Sequence, residues 1–314
     1  MLPAELSDII KDEALRAGFD LCGITDAGVM KERAERLNIW IENGCHGSMD
    51  YMVRNADKRS NPSLLVADAK AVIVVALNYF SPNNREENSD PIISRYASGL
   101  DYHIVMKEKL KSLLKHLKLK VSGLEGRVFT DSAPLMEKAL AVKAGLGRQG
   151  KNTLLLSNSG GSFFFLGEII INLEAASDNP DLGDPCGSCT ECIDACPTGA
   201  ITPEGYLDAR NCISYLTIEH QGDIPEKFKG KLGNRVFGCD ICQDVCPHNY
   251  HSNPHRTAEF NLNTLRAEMT PKKWEELTPD QFSEVFKGSS VARCSYEKFM
   301  KNIRFNTKPP ITEK

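Results

Sequence analysis

Two runs of cysteine in the second half of the chain constrain its fold more than any other feature. The first is Cys186-x2-Cys189-x2-Cys192-x3-Cys196-Pro197, and the second is Cys239-x2-Cys242-x3-Cys246-Pro247, with Cys212 upstream. In the bacterial two-cluster pattern, three closely spaced thiolates take three corners of one [4Fe–4S] cube, and the cysteine before proline reaches the other cluster. That rule places Cys186, Cys189, Cys192 and Cys246 on one cluster and Cys196, Cys212, Cys239 and Cys242 on a second. The long interval between Cys212 and Cys239 makes the second set the less regular. Structural zinc takes Cys-x2-Cys pairs into tetrahedral sites, which explains neither three cysteines at consecutive x2 spacing nor two Cys-Pro endings. Cys22, Cys45 and Cys294 lie outside the pattern and read as ordinary buried thiols. Two clusters imply one-electron transfer and leave the acceptor open.

A chain of 314 residues, 41% hydrophobic and 25% charged, has room for two domains and a sizeable core. No apolar run is long enough to span a bilayer. The N-terminus is an acidic amphipathic pattern without the basic start of a signal peptide. The chain therefore reads as cytoplasmic, where thiols stay reduced and cysteine spacing points to metals before disulfides. The net charge of −4 carries no global argument for nucleic acid. Locally, Lys107, Lys109, Lys111, Lys115, Lys118 and Lys120 crowd one helical stretch, and Lys227, Lys229, Lys231 and Arg235 another. Lys287, Arg293, Lys298, Lys301 and Arg304 form a third group. Such groups are either phosphate contacts or solvated helix faces.

Helix and strand signals alternate through the first 175 residues. Periodicity predicts helices over residues 4–17, 30–43, 101–119 and 134–145, and strands over 19–24, 71–77 and 127–130. Residues 153–157 and 162–173 read as a hairpin joined by Asn158-Ser159-Gly160-Gly161. After a turn-rich linker at 178–185 comes the cysteine segment, short of apolar runs and suited to being held by its metal bonds. A last helical pattern covers residues 278–303.

Three smaller motifs have bland alternatives. Residues 145–150 spell GxGxxG, but they follow a helix and precede a strand, the reverse of the dinucleotide arrangement. Their glycines read as a helix stop and a point of close backbone approach. Asp101-Tyr102-His103 is similar to the opening of the DxHxxG motif that supplies a histidine to cobalamin. The closing glycine is missing and the pattern lies within a helix, so His103 reads as a surface histidine. Asp131 stands at a strand's C-terminal end before a helix, a position suited equally to chemistry and to capping.

Several segments together are similar to the signature of epoxyqueuosine reductases. They are Asp131-Ser132-Ala133-Pro134 through Glu137, Ala144-Gly145-Leu146-Gly147 with Gly150-Lys151-Asn152, and residues 161–168 (GSFFFLGE). Residues 208–217 (DARNCISYLT) and Gly233-Asn234-Arg235 leading to Gly238-Cys239-Asp240 belong with them. The resemblance runs from the N-terminus to about Ile303, without the C-terminal helical repeats of longer members. It implies an α+β fold: an α/β sandwich-type, nitroreductase-like cobalamin-binding domain (1–175), and a ferredoxin-like two-cluster iron–sulfur domain (176–255). A C-terminal helical segment (256–314) packs back on the core. It implies reduction of epoxyqueuosine to queuosine at the tRNA wobble position, the last step of queuosine biosynthesis, with Asp131 as proton donor. The resemblance also implies cobalamin bound without a protein histidine as lower ligand. Its contacts fall on Arg59, Ser94, Asp131, Leu155, Leu166, Ser214, Cys239 and Asp240. Arg293, Lys301 and Asn302 correspond to a basic C-terminal helix that meets the tRNA anticodon stem–loop. The remaining partner is a reductant such as a flavodoxin or ferredoxin, and the chain is expected to be a monomer.

The chemistry agrees with this inventory. Turning an epoxide into an alkene and water takes two electrons and two protons. Clusters deliver single electrons, and a reduced corrin cobalt supplies reactivity that side chains lack. A shielded Asp131 is expected to have a raised pKa and to stay protonated near neutrality. The competing readings are another corrinoid iron–sulfur reductase, such as a reductive dehalogenase, and a non-catalytic ferredoxin-type electron carrier.

Overall fold

The computed structural model describes residues 1–82, 91–157, 160–180, 183–203 and 205–307. Its strands in chain order are β1 (Leu21–Asp26), β2 (Ala71–Asn78), β3 (Ile92–Ile93), β4 (Gly126–Phe129), β5 (Arg148–Gln149), β6 (Leu155–Leu156), β7 (Phe164–Ile171) and β8 (Arg235–Phe237). The central sheet runs β1-β2-β7-β4 with every pair antiparallel.

The run AVIVVAL explains why β2 sits inside this sheet. Its side chains alternate between the faces, and both faces are covered. Ala71, Ile73, Val75 and Leu77 join Ile169 and Ile171 of β7 beneath the helices Pro3–Arg16 and Tyr102–Lys120. Val72, Val74 and Ala76 join Leu166 and Ile170 beneath the helix Glu137–Lys143. Each fully buried Val, Leu or Ile contributes about 1.5–3 kcal/mol. The middle of the sheet is thus a closely packed base, and the loops at its ends carry strained residues such as Asp131.

The expected hairpin is rearranged. β6 pairs with β5, while β7 lies between β2 and β4. Among the described residues the Ser157–Gly161 bridge links the two segments, and Asn158 and Ser159 fall outside them. Eight residues that are almost all buried need a partner on each side, which a hairpin alone does not provide. The glycines at 145–150 serve this β5–β6 turn. Gly145 has φ +74° just beyond the helix, and a Cβ on Gly147 would stand 2.2 Å from the Leu156 carbonyl oxygen.

Beyond the sheet, β3 pairs with β8 in parallel. Ile93, Ala97, Val236 and Phe237 pack there with Trp274, Phe282, Phe286 and Phe299 of the C-terminal segment. The helical pattern over 278–303 is interrupted: the helix Pro279–Val285 stops, a 3₁₀ turn covers Ser290–Arg293, and a second helix spans Tyr296–Thr307. Gly288, at φ +74°, allows the break, and the Ser289 side chain accepts from Val291 N–H to start the turn. A small cluster of Ala209, Ile213, Leu216, Phe228 and Leu232 supports Cys212 and Cys239. Among the described residues, no helix is long and apolar enough to cross a membrane.

Candidate active site

β4 ends at Phe129, and Thr130 closes it by donating its hydroxyl to the Leu166 carbonyl at 3.0 Å. The next residue, Asp131, has φ +51°, a conformation that L residues adopt at a cost. Its backbone N–H donates to Glu137 Oε1, which holds the loop in that shape. The Asp131 side chain is 55% exposed and stands on the wall of a cavity of about 900 Å³. Tyr51, Arg59, Lys138 and Arg293 stand on the same wall.

Asp131 Oδ2 is 2.8 Å from His103 Nε2, and His103 Nδ1 is 2.7 Å from Asp101 Oδ1. Asp101 caps the helix Tyr102–Lys120 by accepting from the His103 backbone N–H at 3.0 Å, so the cap also aims the ring. Arg293 Nε donates to Asp101 Oδ2 at 2.9 Å. His103 is therefore no surface histidine, being only 5% exposed between two carboxylates. Burial alone would lower its pKa, but hydrogen bonds to Asp101 and Asp131 and their charges raise it above 6.5. Burial alone would raise Asp131; the His103 hydrogen bond and charge, the Tyr102 hydroxyl and Arg293 outweigh it and hold Asp131 below 3.8. The expected raised pKa of Asp131 is thus corrected. The proton resides on His103, one hydrogen bond from the Asp131 carboxylate. With both ring nitrogens engaged by carboxylates, His103 keeps no lone pair for a metal.

Charges on several of these cysteines act on one another, mostly within the two expected sets. Burial raises the Cys192 thiol, and Cys186, Cys246 and Cys189 raise it further. Burial likewise raises Cys242, followed by Cys239, Cys212 and Cys192. Cys196 is among the groups acting on Cys212. Among the described residues no three His, Cys, Asp or Glu side chains converge on a single-ion site. Backbone N–H groups already point at sulfur, from Lys151 to Cys186 at 3.4 Å and from Ala200 to Cys196 at 3.3 Å. Donors of this kind stabilise thiolate bound to iron, so the residues present fit clusters. Burial raises the outlying thiols too, Cys22 to about 12 and Cys294 to about 11.

The remaining predicted residues are placed unevenly. Arg59, 8% exposed, lines the cavity, donates to the Tyr51 carbonyl at 2.8 Å and leaves its Nε without an acceptor among the described residues. Ser94 and Asp240 are buried and hydrogen-bonded to each other, and Asp240 also accepts from the Arg95 N–H at 2.9 Å. Leu155 and Leu166 belong to the core under the sheet, while Ser214 and Cys239 are half-buried. Lys301 is exposed and paired with Asp223 at 2.8 Å. Asn302 contradicts its expectation as a tRNA contact. It is 2% exposed, and its amide donates to the Thr217 and Val236 carbonyls at 2.9 Å each, so it ties the last helix to the cluster segment. Sequence reasoning missed the roles of His103, Tyr102 and Glu137. The one available signal was their place inside or beside the Asp101 and Asp131 motifs.

Residues 59–132 match a family described as epoxyqueuosine reductase QueG, DUF1730, and residues 185–249 match a 4Fe-4S double cluster binding domain. An epoxyqueuosine reductase of Cyclobacterium marinum is 49% identical over 300 residues, covering 95% of this chain and 96% of that protein. The chain belongs to the epoxyqueuosine reductase family. A crystal structure of an epoxyqueuosine reductase with an epoxyqueuosine-modified tRNA-Tyr stem loop superposes with a TM-score of 0.88 at 33% identity, covering 96% of this chain and 80% of that one. A Bacillus subtilis epoxyqueuosine reductase, whose catalytic loop is swung out of its active site, gives 0.87 at 32% with the same coverage. Reductive dehalogenase structures at 17% identity and a TM-score of 0.50 share the fold alone.

Proposed function

We propose that this chain reduces epoxyqueuosine to queuosine in tRNA, with Asp131 delivering the proton that the departing oxygen requires. The observation that carries the reading is the Asp131–His103–Asp101 array opening onto the cavity. An electron carrier has no use for a buried imidazolium aimed at a cleft; a reaction that releases an oxygen anion does. His103 stores the proton, and the Asp131 carboxylate passes it on. Asp101 and Arg293 hold His103 in place from behind. General acid help of this kind is worth about 10²–10⁴ in rate.

The cavity suits a corrin. Arg59 offers a buried, unpaired Nε from its wall, and the same wall continues to Lys138, which feels the charges of Cys242 and Cys212. Arg59, Asp131 and, further from the opening, Ser94, Leu155, Leu166, Ser214, Cys239 and Asp240 are the residues we assign to cobalamin. When bound, that cofactor supplies the low-potential electron chemistry that carbon–oxygen cleavage needs. Cys186, Cys189, Cys192 and Cys246 hold one [4Fe–4S] cluster, and Cys196, Cys212, Cys239 and Cys242 hold the one beside the cavity. Residues 1–175 are the nitroreductase-like catalytic domain, 176–255 the cluster domain and 256–314 a C-terminal segment, its described part, to residue 307, packing back on the core. Arg293 and Lys301 face the anticodon stem–loop, whose phosphates reward cations. A cytoplasmic monomer fed by a flavodoxin or ferredoxin completes the reading.

The test is a deletion of the gene followed by nucleoside analysis of total tRNA. Epoxyqueuosine accumulates if the reading is right. Unchanged queuosine, in a strain with no second such enzyme, contradicts it.

A further inference from the structure

Glu168 is the only charged residue in β7, FFLGEIII. Strand alternation puts its side chain on the face of Leu166 and Ile170, beneath the helix Glu137–Lys143, with Val74 and Phe129 as cross-strand neighbours. It is fully buried, and no donor among the described residues reaches either carboxyl oxygen in hydrogen-bond geometry. The side chain it interacts with is the half-buried carboxyl of Glu137. Burial raises both pKa values. Asp131 adds negative charge beside each, and Lys138, on the solvent side, lowers Glu137 in part. Two adjoining carboxyls in such a place do not both ionise.

We propose that Glu137 and Glu168 form an acid–carboxylate pair that latches the Asp131 loop. Glu168 stays protonated and donates its O–H to Glu137, and Glu137 Oε1 accepts the Asp131 backbone N–H. The shared proton removes two faults at once. It gives the orphaned Glu168 oxygens a bond, and it leaves Glu137 an anchored acceptor that offsets the strained φ of Asp131. The latch reaches the chemistry only through Asp131, so Glu137 and Glu168 are positioning residues. Their role rests on the reading of Asp131 as the proton donor.

Infrared spectra of the intact, cluster-bearing protein at neutral pH test the pair directly. A protonated-carboxyl C=O band, shifted on exchange into D2O, is expected in the native chain and absent from Glu168→Gln. In turnover, Glu168→Leu is expected to lower kcat about tenfold with KM held within about twofold. Glu168→Gln recovers most of that loss, because its amide N–H donates where the acid did. No band in the native chain, a band that survives Glu168→Gln, or equal losses in the Leu and Gln variants overturns the latch. Failure of the Asp131 reading has a different signature: Asp131→Asn keeps full turnover while the infrared result stands.

Discussion

His103 Nε2 stands 2.8 Å from Asp131 Oδ2, and its other nitrogen stands 2.7 Å from Asp101 Oδ1. A ring held by two carboxylates is charged, and its proton is one short transfer from the cavity. That arrangement reverses the simpler picture of a protonated aspartic acid: the carboxyl is the conduit and the imidazole is the store.

Activity should therefore depend on pH through His103. Its folded pKa lies above its ordinary 6.5, so the proton is fully present below that value and is lost as pH rises through the raised one. Asp131, with a lowered pKa, keeps its half of the ion pair above 3.8 and loses it as pH falls further. A kcat profile should fall on its alkaline side above pH 6.5, and His103→Gln should abolish that limb along with most turnover. A native profile flat above pH 6.5, or a limb that survives His103→Gln, would contradict this account.

Asp101 joins fold and site. Its pKa is depressed to about 2: burial opposes this, and the His103 side-chain and backbone hydrogen bonds, the His103 charge and Arg293 drive it down. Asp101→Ala removes a helix cap and the anchor of His103, and should cost about 1–3 kcal/mol in chemical denaturation. Asp101→Asn, which can still accept at the cap, should retain more stability than activity.

How much of this was legible in the sequence differs residue by residue. The double-cluster segment was, because metal ligation dictates short, repeated cysteine spacings, and residues 185–249 match a 4Fe-4S double cluster binding domain. Asp131 was, because strand ends and helix starts leave local signals. The role of His103 was not: its partner lies 28 positions away and is brought near only when β4 docks against the helix Tyr102–Lys120. Glu168 appeared in the sequence only as the end of the 161–168 segment, and its meaning needed Glu137 across the interface. Asn302 misled because Lys301 and Arg304 surround it with charge, while its carbonyl partners lie 85 and 66 positions upstream.

Asn302 and Lys301 can be separated by experiment. Asn302→Ala strands two buried carbonyls and should lower stability by about 2–3 kcal/mol, without changing the salt dependence of tRNA binding. Lys301→Gln should leave stability nearly unchanged, since its ion pair with Asp223 is exposed, and should reduce the salt slope by about one. Titrations at several ionic strengths, run beside denaturation curves, check both.

Cys212 is the least regular of the proposed cluster ligands, and its surroundings include Cys196 and Lys138. Cys212→Ala should lower bound iron by about one cluster's worth and block turnover while leaving the other cluster's signal in electron paramagnetic resonance. Full iron content in the variant would remove Cys212 from the ligand set.

The most direct measurement supplies the anaerobically reduced enzyme with tRNA bearing epoxyqueuosine and quantifies the nucleosides formed by the native chain and by Asp131→Asn. The account predicts queuosine from the native chain and a rate lower by about 10²–10⁴ from the variant with its iron and cofactor retained. No queuosine from the native chain, or equal rates from the two, would contradict it.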